Sequence, residues 1–188
     1  MRVSQEELHD VLDYNPETGV FTWKHSSPST KKGEVAGKIY DNGYRYIAVA
    51  GVYFPAALLA WIWVHGVDPK GVVDHIDLDK LNDRISNLRP ATRSQNRANR
   101  NPPAHNRSGF KGVFWNSQKM KWHARIMLDY KSRHLGFFDS IEDAARAYKE
   151  AALQTWGEFA RVPSEEEIQQ IAKGFVKESE KSAEDLGL

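Results

Sequence analysis

The stretch VVDHIDLDKLNDRISNLRPATRSQNRAN, residues 72–99, restricts this chain's fold more than any other part of it. Val72 and Val73 are β-branched and run straight into Asp74 and His75, which reads as a short strand with an acid and an imidazole at its rim. The following segment, IDLDKLNDRISN, is rich in Asp and Asn and has no sustained apolar period. It predicts a loop held by side-chain to backbone hydrogen bonds that returns the chain to Asn87 and Leu88. Thr92 suits the N-cap of a short polar helix over TRSQNRANR, a run free of Gly and Pro until Pro102. On that helix Asn96 and Arg100 share one face, and Arg93 and Arg97 a neighbouring one.

Strand, loop and helix together resemble the HNH nuclease motif, the ββα-metal fold, in the form where Asp-His replaces the first His and Asn the last. The matching residues are Asp74, His75, Asn87 and Asn96. The resemblance implies one-metal hydrolysis of phosphodiesters. Asp74 and Asn96 supply hard oxygen ligands suited to one Mg²⁺ or Mn²⁺ ion that keeps several waters. His75, which can be neutral near pH 7, can then take a proton from the attacking water. In the family Asn87 pins the loop and helps orient the imidazole, and products carry 5′-phosphate and 3′-hydroxyl ends. Arg93, Arg97 and Arg100 would grip phosphates nearby. Upstream, Leu59-Ala60-Trp61 matches the helix that precedes the motif in phage HNH proteins, but Ala57 and Leu58 stand where relatives commonly carry His-Arg.

Charge points to the same partner. Between Arg89 and His134 there are eleven Lys and Arg against one acid, Asp129, so this segment carries +10 inside a chain of net charge +1. A basic stretch on an otherwise acidic scaffold is the footprint of a polyanion-binding surface. The absence of Cys excludes disulfides and cysteine-ligated zinc. The apolar run YFPAALLAWIWV, residues 53–64, is short of the roughly 20 residues that span a bilayer. MRVSQEELHD has no apolar stretch of the kind a signal peptide needs. The expectation is an intracellular, cytoplasmic protein with no membrane association and no obligate protein partner evident.

Taken in order, the chain predicts a helix over residues 4–13 from the Ser4/Glu7 capping box, and a strand at Val20 to Lys24. An exposed Ser-, Pro- and Lys-rich loop follows over residues 25–33. Strands at Val35 to Tyr40 and Tyr44 to Ala50 are joined by a hairpin through Asp41-Asn42-Gly43. A buried helix runs from Pro55 to His65, with Gly66 as its stop. These elements and the motif make one nuclease domain over residues 1–100, with its ββα core at 71–100. The segment 101–107, containing Pro102 and Pro103, is a stiff linker.

Residues 108–162 have a different character. KGVFW, KWHARIMLD and KSRHLGFF are three strands, and SIEDAARAYKEAALQTWG is a helix capped by Ser140 and ended by Gly157. Trp122, Ala124, Ile126 and Leu128 alternate with polar and cationic residues, so a helix covers one face of the sheet and leaves the other charged. SGFKGVFW, KWHARI, LGFFDSIEDAARAY and AAL resemble the plant ethylene-response-factor DNA-binding domain, whose three-stranded sheet lies in the major groove. The resemblance implies reading positions at Lys111, Phe114, Asn116, His123, Arg125, Met127, Ser132 and His134, with Lys121 and Arg133 as further DNA contacts. Phe114, Met127, Ser132 and His134 replace that family's usual contacts, so its target sequence does not transfer. From residue 163 to 188 an acidic amphipathic helix docks through Ile168, Ile171, Ala172, Phe175 and Val176 and frays from about Ser179.

The expected class is α+β: a ββα-metal nuclease domain followed by a three-stranded antiparallel sheet packed on one helix. The expected function is a metal-dependent endonuclease of the phage or homing type acting on double-stranded DNA. The alternative is a non-catalytic DNA-binding regulator that keeps a degenerate HNH scaffold. An RNA-directed protein is a third reading, disfavoured because a sheet suited to a wide major groove does not suit the narrow one of A-form RNA.

Overall fold

The first helix begins where a side chain can satisfy its free amides. Ser4 Oγ accepts from Glu7 N at 3.1 Å while Ser4 N donates to the Glu7 carboxylate at 2.7 Å, and α1 (Gln5–Val11) grows from this reciprocal cap. The computed structural model describes the backbone of residues 3–185 and the side chains of residues 3–175. The protein is α+β and divides into two compact units, Met1–Asn96 and Arg97–Leu188.

In the first unit, β1 (Leu12–Asn15) and β2 (Val20–Trp23) form a hairpin with Leu12 opposite Trp23 and Asn15 opposite Val20. Asn15 Oδ1 accepts from the amides of Glu17 and Thr18, and Gly19 at φ +73° closes the turn. β3 (Lys38–Ile39), β4 (Arg45–Val49) and β5 (Val52–Pro55) form a sheet of order β3-β4-β5. The strand expected over residues 35–40 is only two residues long. Val35 and Ala36 pair instead with β2, through the Thr22–Val35 bridge and the Ala36 N to Phe21 O bond, before Gly37 at φ +83° turns the chain. β5 lies inside the apolar run, where no strand was expected. Ala50 at φ 49° and Gly51 at φ 78° supply the left-handed two-residue turn that joins β4 to it.

α2 (Ala56–His65) follows with Pro55 in its N-cap position, and Gly66 ends it at φ 69°. Leu59 and Ala60 are fully buried with Leu8, Leu12, Phe21 and Ile47 in one core. Each large side chain buried in this way contributes about 1.5–3 kcal/mol, so α2 is the post around which the unit packs. β6 (Val72–His75) and β7 (Leu88–Ala91) then pair antiparallel, with Val72 opposite Ala91 and His75 opposite Leu88. α3 (Arg93–Ala98) completes the ββα unit; Thr92 Oγ1 accepts from Gln95 N at 3.2 Å, and Thr92 N donates to Gln95 Oε1 at 2.8 Å.

In the second unit, β8 (Val113–Asn116), β9 (Lys121–Leu128) and β10 (Lys131–Phe138) form an antiparallel sheet of order β10-β9-β8. α4 (Ile141–Trp156) starts at Ser140, whose Oγ accepts from Asp143 N at 3.0 Å. Its Ala144, Ala145, Tyr148 and Ala152 are buried in the same core as Trp122, Ala124 and Ile126 of β9. α5 (Glu165–Asp185) opens with a Ser164/Glu167 capping box and buries Ile168 and Ala172 in this core. The described backbone of α5 runs to Asp185. The Val176 side chain and residues 186–188, which belong to the expected docking face and frayed end, lie outside the described residues. The units part between Asn96 and Arg97, ahead of the Pro-rich segment. The Ala98 carbonyl accepts from Lys111 Nζ at 2.5 Å and from Arg161 N at 3.2 Å, which ties the end of α3 into the second unit. Among the described residues no helix is long and apolar enough to cross a membrane.

Candidate functional site

β6 carries Asp74 and His75 in succession, and both are buried, at 3% and 5% exposure. Asp74 pairs in register with Arg89 of β7, whose Nε donates to Asp74 Oδ2 at 3.0 Å. The bond fixes the carboxylate's orientation. His75 Nε2 lies 2.9 Å from Oδ1 of Asp83, itself only 2% exposed. An ionised Asp83 accepts the Nε2 proton, so in the neutral ring the lone pair sits on Nδ1.

Asp83 is placed by the distant β1–β2 hairpin. The Tyr14 hydroxyl donates to the Asp83 backbone carbonyl at 2.6 Å. Gly19 approaches so closely that a Cβ there would stand 2.5 Å from the Asp83 carbonyl carbon and the Arg84 nitrogen. Burial, then the nearby Asp83 charge, pushes the Tyr14 phenol up to about 12.

Asn87 stitches the loop between the two strands. Its Nδ2 donates to Asp77 Oδ1 at 2.9 Å and to the Asn82 carbonyl at 2.8 Å, its Oδ1 accepts from Asp77 N, and its backbone carbonyl accepts from Ile76 N. Burial opposes ionisation of Asp77, but hydrogen bonds from Asn82 and Asn87 hold its carboxyl below the usual range. Asn87 thus acts on the residues directly after His75, while Asp83 contacts the imidazole itself. Asn96 lies on α3, partly exposed; its backbone N donates to the Thr92 carbonyl at 2.9 Å, and its side-chain amide makes no hydrogen bond among the described residues. Among those residues no group of three or more His, Cys, Asp or Glu is placed to hold a metal ion. Within the ββα unit Asp74 lies on β6 and Asn96 on α3.

Arg93, Arg97 and Arg100 are exposed, the first in one unit and the other two in the next. The Arg97 guanidinium lies 5.1 Å from the Tyr130 ring centroid. On the second unit's sheet, cross-strand partners share a face. Asn116 pairs with Lys121, Phe114 with His123, and Arg125 with His134, so these six lie on the face opposite α4. His123 Nε2 and His134 Nδ1 are 2.7 Å apart, Arg125 lies over the Phe114 ring and Lys119 over that of Phe137. Burial first, then His134, Arg125 and Lys119, hold the His123 imidazole below its ordinary range. Lys121 is ion-paired to Asp139 at 2.9 Å.

Two expected contacts lie elsewhere. Arg133 pairs in register with Ile126, which puts it on the core-side face of the sheet, where it is exposed along the edge strand. Lys111 turns inward to Ala98, and burial, then the charge of Arg161, lowers its ammonium to about 8. Asp83 and Arg89 carry the direct bonds to the two central side chains. The strand register identifies Arg89 once β6 and β7 are aligned, whereas nothing in the Asp- and Asn-rich loop distinguishes Asp83 from its neighbours.

A protein-family profile described as HNH endonuclease matches residues 56–98. Protein 3.8 of Escherichia phage T7 is 34% identical over 102 residues, which are 54% of this chain and 84% of the phage protein. An ethylene-responsive transcription factor-like protein of Arabidopsis thaliana is 37% identical over 103 residues, covering 52% of this chain and 43% of the plant protein. An HNH endonuclease of Acanthamoeba polyphaga mimivirus is 34% identical over 98 residues, covering 52% of this chain and 50% of the viral protein. The chain thus spans half or less of the last two relatives. Among solved structures, the HNH homing endonuclease I-HmuI shares 29% identity with a TM-score of 0.37, over 47% of this chain and 51% of that one.

Proposed function

Because this chain belongs to the HNH endonuclease family, we propose that it hydrolyses phosphodiester bonds in double-stranded DNA with the help of one divalent ion. The observation that carries the reading is the buried His75–Asp83 pair directly beside Asp74 on one strand. That arrangement supplies a base of fixed tautomer next to a carboxylate. Asp74 and Asn96 would hold the ion, and their oxygen chemistry fits Mg²⁺ or Mn²⁺. When bound, the ion would neutralise charge on the phosphate and on the leaving oxygen. The chain's own residues do the rest. Asp83 holds the Nε2 proton, His75 Nδ1 takes a proton from the attacking water, Arg89 orients Asp74, and Asn87 fixes the loop after His75.

For DNA we propose two contributions. Arg93, Arg97 and Arg100 engage phosphates, and the sheet face bearing Asn116, Lys121, His123, Arg125 and His134 enters the major groove. Lys111 and Arg133 drop out of this set because of where their side chains lie. The +10 charge between Arg89 and His134 supports the partner.

A supercoiled-plasmid nicking assay tests the activity. Mg²⁺ or Mn²⁺ should support nicking, chelator should stop it, and His75→Ala should abolish it while DNA retention persists. Retention with no nicking by the wild type under either ion would favour the competing reading, a DNA-binding regulator on a degenerate scaffold. For the sheet, Arg125→Ala should lower the salt slope of binding by about 1 if the guanidinium meets a phosphate.

A further inference from the structure

A half-open cavity of about 260 Å³ adjoins the imidazole of His75. Its walls include Tyr44, Tyr46, Ala57, Leu58 and Val73, and no Asp, Glu, Lys or Arg lines it. The Tyr44 ring centroid is 5.9 Å from that of His75, with the planes tilted at 45°, and Lys80 Nζ lies 5.1 Å from the centroid of the same phenol ring. The cavity lies within the first unit and is lined in part by the residue proposed to activate water.

We infer that this cavity receives one nucleobase of the substrate strand, turned out of the stack, within one nucleotide of the phosphodiester presented to His75. The inference rests on the nuclease reading above and adds a specificity-determining subsite to it. Whatever occupies a space walled by His75 while that residue works on a phosphodiester is covalently close to the scissile phosphorus. In DNA that leaves a phosphate, a deoxyribose or a base. A phosphate would lose hydration there without meeting a Lys or Arg, and a deoxyribose offers the Tyr rings no flat face to stack on. A base suits them, because unstacked bases are held on Tyr rings and in apolar slots. Lys80, bonded to the Asn42 carbonyl at 3.0 Å, stands at the Tyr44 ring with its charge available to the attached phosphate.

The test starts by mapping the cut on plasmid DNA with the full chain. Duplexes carrying that site are then made with 2-aminopurine at each flanking nucleotide in turn and mixed with protein in chelator, so that binding occurs without cleavage. The expected result is a fluorescence change at a single nucleotide adjoining the cut, lost with Leu58→Trp, which fills the cavity. In cleavage with metal, Tyr44→Ala should lose roughly tenfold in kcat/KM on the normal duplex, the scale of one base-stacking contact. It should lose nothing further on a duplex abasic at that nucleotide. Circular dichroism and urea unfolding check both variants, and either one alone suffices if the other misfolds. Silence at every flanking nucleotide, or Tyr44→Ala slowing both duplexes equally, overturns the subsite while the nuclease reading stands. A wild type that cuts no DNA with any divalent ion overturns the nuclease reading, and the subsite with it.

Discussion

Replacing Asp83 by Ala tests the arrangement at the point where its geometry is most definite. At 2% and 5% exposure, neither Asp83 nor His75 can recruit water to replace the other. The variant leaves a buried ring nitrogen without its acceptor, a cost of about 1–3 kcal/mol in stability. It approaches about 3–5 kcal/mol only if the pair is ionic, with the proton shared as imidazolium and carboxylate. Loss of an orienting partner costs about 10–100-fold in activity, equivalent to about 1.4–2.7 kcal/mol of barrier. Loss of the base itself should cost about 10²–10⁴-fold. If Asp83 acts through His75, the two effects do not multiply. Single-turnover nicking rates for Asp83→Ala, His75→Ala and the double variant should show the double no slower than His75→Ala. Asp83→Asn, which keeps an acceptor oxygen, should fall between wild type and Asp83→Ala. The reasoning fails if folded Asp83→Ala nicks at the wild-type rate, or if the double variant is slower than His75→Ala by the full Asp83→Ala factor.

Gly19→Ala should destabilise the first unit by more than the about 1–2 kcal/mol of a left-handed backbone, because its Cβ meets the backbone at Asp83 and Arg84. Gly33→Ala, at φ +80° with nothing within 4 Å, is the control that carries the backbone cost alone, and urea midpoints compare them. Lys111 titrates near 8 in the folded protein against an ordinary 10.5, so the unfolded chain holds more protons between those values. Stability should therefore rise with pH across that window, and Lys111→Met should flatten the rise in denaturation curves taken at several pH values. Burial first, and then the neighbouring cations, hold the His123 imidazole below its ordinary 6.5; duplex phosphates placed beside it would offset both, so binding should take up protons. Affinity should then increase as pH falls below 6.5 in fluorescence-anisotropy titrations, and a His123→Gln, His134→Gln variant should lose that dependence.

Much of the architecture could be read from local chemistry. The Ser4/Glu7 and Thr92 caps, the Val72–His75 strand and the period-2 pattern of Lys121–Leu128 each specify their element without help from tertiary contacts. β5 was hidden because Val52–Pro55 merges into an apolar run that reads as the approach to a helix. The strand beginning at Val35 is shorter than its composition suggests because Val35 and Ala36 pair with β2, across the Ser-, Pro- and Lys-rich loop, a long-range choice that local pattern does not encode. Asp74, His75, Asn87 and Asn96 could be picked out through the resemblance to the HNH motif. Asp83 could not, since its role depends on a contact across eight residues of irregular loop. Lys111 and Arg133 show the same limit for charge: the sequence gives the sign of a side chain, whereas strand register and burial decide which way it faces.

The support that Tyr14 and Gly19 give to Asp83 bears on how this motif can be inherited or grafted. A transplant of residues 71–100 would carry all four motif residues yet leave behind the hairpin that shapes the carboxylate behind the imidazole. Recombination that moves the motif together with its support would then have to break upstream of Tyr14, making the heritable cassette roughly three times longer than the motif that advertises it.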